Sequence, residues 1–179
     1  MKPVSVMAHR PAHIDASEWQ ARVSLAACYR LVASLGLDDM IYNHISMRVP
    51  GTTDQFLLNP YGLLFDEITA SSLVRIDIHG NKLDDSPHEV NVAGFVIHGA
   101  IHQGRHDAVC VLHTHSDASL AVSAQTEGLL PLSQFAMRFY QRQGFHDYEG
   151  VALDLDEQQR LVQDLSLIHI SEPTRLRRI

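Results

Sequence analysis

The sequence predicts a layered α/β domain whose strands pair antiparallel. Three observations carry this prediction. An N-terminal run has apolar residues at helical spacing, a middle stretch alternates in short pieces broken by Pro-Gly and Gly-Asn turns, and a second helical run leads into a short apolar strand. With 179 residues, 45% hydrophobic and 20% charged, the chain has the composition of an ordinary globular protein with room for one core.

The elements follow in order. Residues 1–16 show no period and are expected to form a flexible arm. Ser17 and Gln20 have the spacing of a capping box, in which each side chain satisfies a backbone amide of the other's turn. Trp19, Val23, Ala26, Ala27, Leu31 and Leu35 then recur at helical spacing, and Gly36 supplies the stop. His44 to Val49 alternates as a strand, Pro50-Gly51 turns the chain, and Gln55 to Leu58 is a second strand before the turn Asn59 to Gly62. Leu73 to Ile78 alternates again and ends in the turn His79-Gly80-Asn81. Asn91 to Gln103 reads as a helix with Val92, Phe95, Val96 and Ile101 inward. Ala108 to Leu112 is short enough for a buried strand, and Ser116-Asp117 can cap a helix to about Gln125. Leu129 to Tyr140 reads as a further short helix and Gln143 to Gly150 as a loop.

Composition excludes several function classes. A net charge of −7 argues against a nucleic-acid partner, which calls for a basic face. No stretch approaches the roughly 18 apolar residues of a membrane span, and the N-terminus lacks the apolar run of a signal peptide. A cytoplasmic location is expected. Cys28 and Cys110 lie far apart and read as small buried apolar groups. The twelve histidines are the unusual feature, because neutral imidazole is the commonest metal ligand.

His113 and His115 are the sharpest pair among them. Residues two apart at a strand end point to the same side, so both rings can converge on one divalent ion, zinc first. The plainer reading is two polar residues at a strand terminus. His98 and His102 have the i, i+4 spacing of a helical metal pair, but Gly99 stands where a metalloprotease motif carries Glu. Packing at a helix–sheet or subunit surface is the favoured reading there. His44, His79, His88, His106 and His146 carry no spacing argument. Asn43 and the turn at Tyr61 and Gly62 form a candidate anion-holding group, by backbone amides and an amide side chain, with a plain turn as the alternative.

Six segments in order, YNHISMR (42–48), LLNPYG (57–62), VRIDIHG (74–80), NVAGFVIH (91–98), VLHTH (111–115) and HDYEG (146–150), resemble the class II aldolase/adducin domain, in its adducin-like bacterial branch. The resemblance runs from about Ser17 to Asp164. It implies a three-layer αβα sandwich with a largely antiparallel sheet, and a homo-oligomer, usually a tetramer. It also implies a divalent metal, zinc first, held by His113, His115 and a third histidine in a later Asn-His-Gly segment. Asn43, Tyr61 and Gly62 match positions that hold the anionic end of a substrate. The activity implied is that of a lyase, or a related epimerase, dehydratase or decarboxylase, on a small hydroxy-carbonyl compound of sugar-acid or sugar-phosphate type. The alternative is a non-catalytic adducin-like binding module. The departures are specific. Gly94 stands where the enzymes keep a catalytic Glu, Phe135 near the place of their interface tyrosine, Tyr61 where Thr is common, and Tyr42 where Gly is common. The catalytic base is therefore unassigned, with His98 as a candidate.

The end of the chain breaks with the rest. Leu165 to Arg175, LSLIHISEPTR, resembles the in-frame translation of a transposase-type sequencing adapter. Residues 165–179 are thus expected to be a non-native tail, following a domain of residues 17–164 that lacks its own C-terminal part. Setting the tail aside removes three arginines and one glutamate, taking the charge from −7 to −9, and drops His169 from the candidates.

Overall fold

The structure, a computed structural model, describes residues 10–140, 142–146, 155–164 and 169–171. Helix α1 (Ala16–Ser34) is followed by strands β1 (His44–Arg48), β2 (Gln55–Leu58) and β3 (Val74–Asp77), helix α2 (Val92–Gly104) and strand β4 (Cys110–His113). Helix α3 (Asp117–Ser123), strand β5 (Gln143–Phe145), helix α4 (Leu155–Asp164) and strand β6 (His169–Ser171) complete the order. The main sheet runs β3-β2-β1-β4, with every pairing antiparallel.

Strand alternation sorts the core into two layers. Ile45, Val49 and Leu57 face α1, where they meet Leu25, Tyr29 and Val32. Phe56, Leu58, Val74 and Ile76 face the other way, against Phe95 and Val96 of α2. Helix α4 packs outside α2, with Gln158 Nε2 donating to the Val96 carbonyl at 3.0 Å. The result is the three-layer α/β arrangement with an antiparallel sheet.

The inward stripe of α1 differs from the one its apolar residues predict. Leu31 and Leu35 are exposed, whereas Glu18, Ala21, Arg22, Leu25, Ala26, Tyr29 and Val32 are buried. The cause is a buried ion network. Arg22 Nε meets Glu18 at 2.8 Å and Arg22 Nη2 meets Asp84 at 3.1 Å, while Arg75 reaches Glu18 at 2.8 Å. These paired charges turn the helix so that a charged edge faces β3. Its cap also differs: Asp15, not Ser17, accepts the Glu18 amide hydrogen at 2.8 Å. Gly36 takes φ +64, the left-handed stop its position calls for.

Other expectations need correction. Val92 is exposed, and α2 instead buries His98, Ala100 and His102 beside Phe95 and Val96. Strand β4 has exposed and half-buried positions rather than a buried run, because among the described residues β1 alone borders it. Cys110 is exposed and Cys28 half-buried. In place of a helix over 129–140 there is one 3-10 turn, Ala136–Phe139. Residues 143–145 of the expected loop pair parallel with His169–Ser171, three residues of the stretch expected to be a foreign tail. The loop's remaining residues 147–150, and most of the expected N-terminal arm, lie outside the described residues. Helix α4 carries no expectation in the sequence reading.

Tyr29 ties α1 to the sheet. Its buried hydroxyl accepts the Ile45 amide hydrogen at 2.8 Å and donates toward the Ile45 carbonyl and Asn59 Oδ1, the latter at 2.9 Å. Tyr29→Phe strands these buried polar groups. It is expected to lower stability by about 1–3 kcal/mol, read as a lower urea midpoint with an unchanged slope.

Candidate functional site

Strand β1 presents His44, Ser46 and Arg48 on the face opposite Ile45 and Val49, so a polar row lies between the sheet and α2. Helix α2 answers with His98 and His102, one turn apart on the face that meets the sheet. His44 Nδ1 lies 2.8 Å from His98 Nε2, and His98 Nδ1 lies 2.6 Å from Ser46 Oγ. Ser46 Oγ lies 2.8 Å from His102 Nε2, and His102 Nδ1 faces the Ala108 carbonyl at 3.2 Å. Arg48 closes the row at the C-terminus of α2, donating to the His102 carbonyl at 2.6 Å and the Arg105 carbonyl at 3.2 Å. It thereby satisfies carbonyls that the helix end leaves unpaired.

Cross-strand pairing brings the sequence-predicted pair to this row. His113 of β4 pairs directly with His44 of β1, and its Nδ1 lies 3.3 Å from His44 Nε2. His113 Nε2 and His115 Nε2 face each other at 3.2 Å, and His115 Nδ1 meets Asp39 Oδ2 at 2.9 Å. Seven groups therefore run continuously from Asp39 through His115, His113, His44, His98 and Ser46 to His102.

Burial keeps the inner rings uncharged. His44 and His98 are held well below the usual histidine range by burial first, and then by the neighbouring imidazoles. Burial, then the Arg48 guanidinium, pushes His102 down to about 4. Burial and then His115 push His113 down to about 4.

Asp39 is held in place by local backbone geometry. Asn43 Oδ1 accepts the Asp39 amide hydrogen, the Tyr42 amide donates to the Asp39 carbonyl at 3.0 Å, and Met40 between them adopts φ +46. A left-handed non-glycine residue costs energy and is retained where its surroundings impose it. Asn43 is fully buried, and its Nδ2 has no partner among the described residues. Beside His115 lies a cavity of about 510 Å³ lined by Asp38, Asp39, Asp117 and Ser116, with Leu37 and Leu120. Among the described residues no lysine or arginine lines it.

The remaining candidates fall elsewhere. Tyr61 is half exposed, its amide is spent on the Glu89 carbonyl at 2.7 Å, and Gly62 follows at φ +91; neither lines the cavity beside His115. His98 is fully buried with both ring nitrogens engaged, so it has no nitrogen free to meet a substrate as a base. Phe135 is 74% exposed and carries Arg138 above its ring at 5.8 Å. Gly94 accommodates His44: a Cβ at position 94 would lie 3.0 Å from the His44 ring. The imidazole thus occupies space that a side chain at 94 would need. Sequence reasoning missed His44, Ser46, His102 and Asp39 as partners of the pair. The recurrence of polar residues at 44, 46 and 48 on one strand face was the available signal.

A four-stranded antiparallel sheet between helix layers, with a histidine pair at the end of an edge strand, defines an aldolase-type α/β domain. The chain belongs to the class II aldolase and adducin N-terminal domain family, whose model matches residues 23–170. A Pseudomonas aeruginosa protein named for the aldolase class 2 family is 58% identical over 161 residues, covering 90% of this chain and 62% of that protein. The crystal structure of an aldolase II superfamily protein from Pseudomonas syringae matches with a TM-score of 0.86 and 51% identity, over 90% of this chain and 66% of that one. L-fuculose 1-phosphate aldolase from Glaciozyma antarctica matches with a TM-score of 0.79 and 25% identity, over 95% and 67%. The chain spans about three fifths of the length of the two bacterial relatives first matched and 20% of alpha-adducin from Rattus norvegicus. Among the described residues no helix is long and apolar enough to cross a membrane.

Two measurements check this geometry. Gly94→Ala adds helix propensity worth about 1 kcal/mol but drives a methyl into the His44 ring. A net loss of about 1–3 kcal/mol is expected from the overpacking, largely relieved when His44→Ala is added in a double-mutant cycle. For His102, the folded-state pKa lies below the unfolded one, so between pH 6.5 and about 4 the unfolded chain binds the extra proton. Its contribution, on the order of 3 kcal/mol, is present above that window and is lost as pH falls through it. His102→Gln is expected to flatten the dependence of urea stability on pH across this window.

Proposed function

We propose that this chain carries the metal-binding half of an enzymatic site. The enzyme is a lyase, or a related epimerase, dehydratase or decarboxylase, acting on a small hydroxy-carbonyl compound. The observation that supports it is the approach of two imidazole nitrogens, His113 Nε2 and His115 Nε2, to 3.2 Å. Ligands about 2.0–2.1 Å from a tetrahedral ion lie roughly 3.3 Å apart, so the separation of the pair matches that of two ligands of zinc or a similar divalent ion. Asp39 Oδ2 accepts from His115 Nδ1, the carboxylate–histidine arrangement that orients a ligand and raises its basicity. Among the described residues no group of three or more His, Cys, Asp or Glu side chains is placed to hold an ion, so the family's third histidine remains an expectation about other residues. When bound, a divalent ion supplies Lewis-acid polarisation of a carbonyl group.

The chain's own residues narrow the substrate. Among the described residues Asp38, Asp39 and Asp117 line the cavity, and their carboxylates can accept hydrogen bonds from the hydroxyl groups of a substrate. The unpartnered Asn43 Nδ2 is a donor for a substrate oxygen, while Tyr61 and Gly62 are retained only as outlying contacts at an exposed turn. Leu132 and Phe135, 84% and 74% exposed, support a homo-oligomer.

One observation favours the alternative, a non-catalytic binding module. His44 fills the space at Gly94 where the resembling enzymes carry their acid–base carboxylate. Zinc or cobalt titration of the purified chain separates these readings in part. One ion per chain is expected, with affinity falling at least tenfold in His113→Ala, as loss of a ligand exceeds the about 10–100-fold typical of outer-shell changes. No bound ion would overturn the proposal. A bound ion without turnover on hydroxy-carbonyl substrates would favour the binding module.

A further inference from the structure

We infer that Ser46, His98 and His102 are positioning residues that fix, through His44, which nitrogen of His113 carries hydrogen, so that its Nε2 is kept bare. The inference starts from the buried end of the row. The Ala108 carbonyl can only accept, so His102 Nδ1, 3.2 Å away, is the donor. A neutral His102 then has a bare Nε2, which must accept the Ser46 hydroxyl hydrogen at 2.8 Å. Ser46 has one hydrogen to give, so its oxygen accepts from His98 Nδ1 at 2.6 Å. His98 Nε2 is thereby bare and accepts from His44 Nδ1 at 2.8 Å. His44 Nε2 in turn accepts from His113 Nδ1 at 3.3 Å. Each step removes one choice, and the last leaves His113 Nε2 without hydrogen.

The solvent-side end independently fixes His115. The Asp39 carboxylate also only accepts, so His115 Nδ1 donates at 2.9 Å, and a neutral His115 has a bare Nε2. Two acceptor-only termini thus drive two lone pairs toward each other across 3.2 Å. The row is one proton short, and a cation between the two nitrogens supplies what is missing. Running the row in reverse would satisfy the His113–His115 contact. It would, however, set the bare Nδ1 of the fully buried His102 against the Ala108 oxygen, two acceptors facing each other with no other donor in the row. Burial, which keeps His98 and His102 neutral, is what denies the row an extra proton at its inner end.

Ser46 is the point at which this control can be cut. Without its hydroxyl, His98 is freed from donating through Nδ1. His98, His44 and His113 can then all reverse, and His113 donates Nε2–H to His115. The inference deepens the metal-site reading and rests on it for its purpose, but the tautomers are measurable without metal. The test is long-range proton–nitrogen NMR on the metal-free chain labelled with ¹⁵N-histidine at neutral pH. The unaltered chain is expected to show Nδ1–H at His44, His98 and His102. Ser46→Ala is expected to convert His44 and His98 to Nε2–H while His102 keeps its tautomer, and Ser46→Thr to restore the original pattern. Zinc affinity by chelator competition is expected to fall about 10–100-fold in Ser46→Ala and to recover in Ser46→Thr. Nε2–H at His98 in the unaltered chain, or unchanged tautomers in Ser46→Ala, would overturn the inference. Should Ser46→Ala fail to fold, the unaltered chain still decides it through His98. Expected tautomers in a chain that binds no zinc would sink the metal-site reading and leave the tautomer control standing.

Discussion

Both faces of β1 are buried, yet only one of them is apolar. Ile45 and Val49 pack toward α1, but His44, Ser46 and Arg48 lie under α2 with little or no exposure. A buried polar group without a partner costs more than a made hydrogen bond returns, so each of these three side chains has to find its partner on the facing helix or the adjoining strand. That requirement sets the position of α2. His98 and His102 must lie one turn apart over Ser46, and the C-terminus of α2 must end where Arg48 can reach its carbonyls. Packing and polar satisfaction become one constraint here. Helix α2 cannot slide or rotate along the sheet without breaking the row.

The frame of the domain was legible because it rests on local signals. The alternation of β1, β2 and β3 and the glycine stop after α1 depend on residues close in sequence, and they stand where those signals put them. The failures share a physical cause. The stripe of α1 departs from its apolar pattern because Arg75 and Asp84, far along the chain, pair with Glu18 and Arg22 inside. The apolar residues of β4 predict burial, but burial depends on having neighbours on both sides. The histidine pair was visible from its spacing alone. Its supporting residues were not, since Asp39 lies 76 positions from His115 and His44 lies 69 from His113, and only the sheet register joins them.

Gly94 shows how the core and the site trade against each other. Glycine within a helix forfeits stability relative to alanine, and here the space it leaves is filled by the ring of His44. A Cβ at 94 would meet the His44 ring at 3.0 Å, so a side chain there would require that ring to give way by a few tenths of an ångström. His44 lies between His98 and His113, so the shift would be felt at both of its contacts in the row.

Charge completes the argument. A row of neutral imidazoles brings no negative charge to the His113–His115 gap, so a divalent ion held there by these two rings would keep its full charge. The nearest compensation is Asp39, which spends one oxygen on His115 rather than on the ion. Asp38 and Asp117 across the cavity add further negative potential without being positioned as ligands. Partly exposed carboxylates at that remove stabilise a cation through a screened field rather than a bond. A cation bound by the two rings would therefore keep its other coordination positions open. Its retention would rest on the screened field of the acidic lining as much as on the rings themselves.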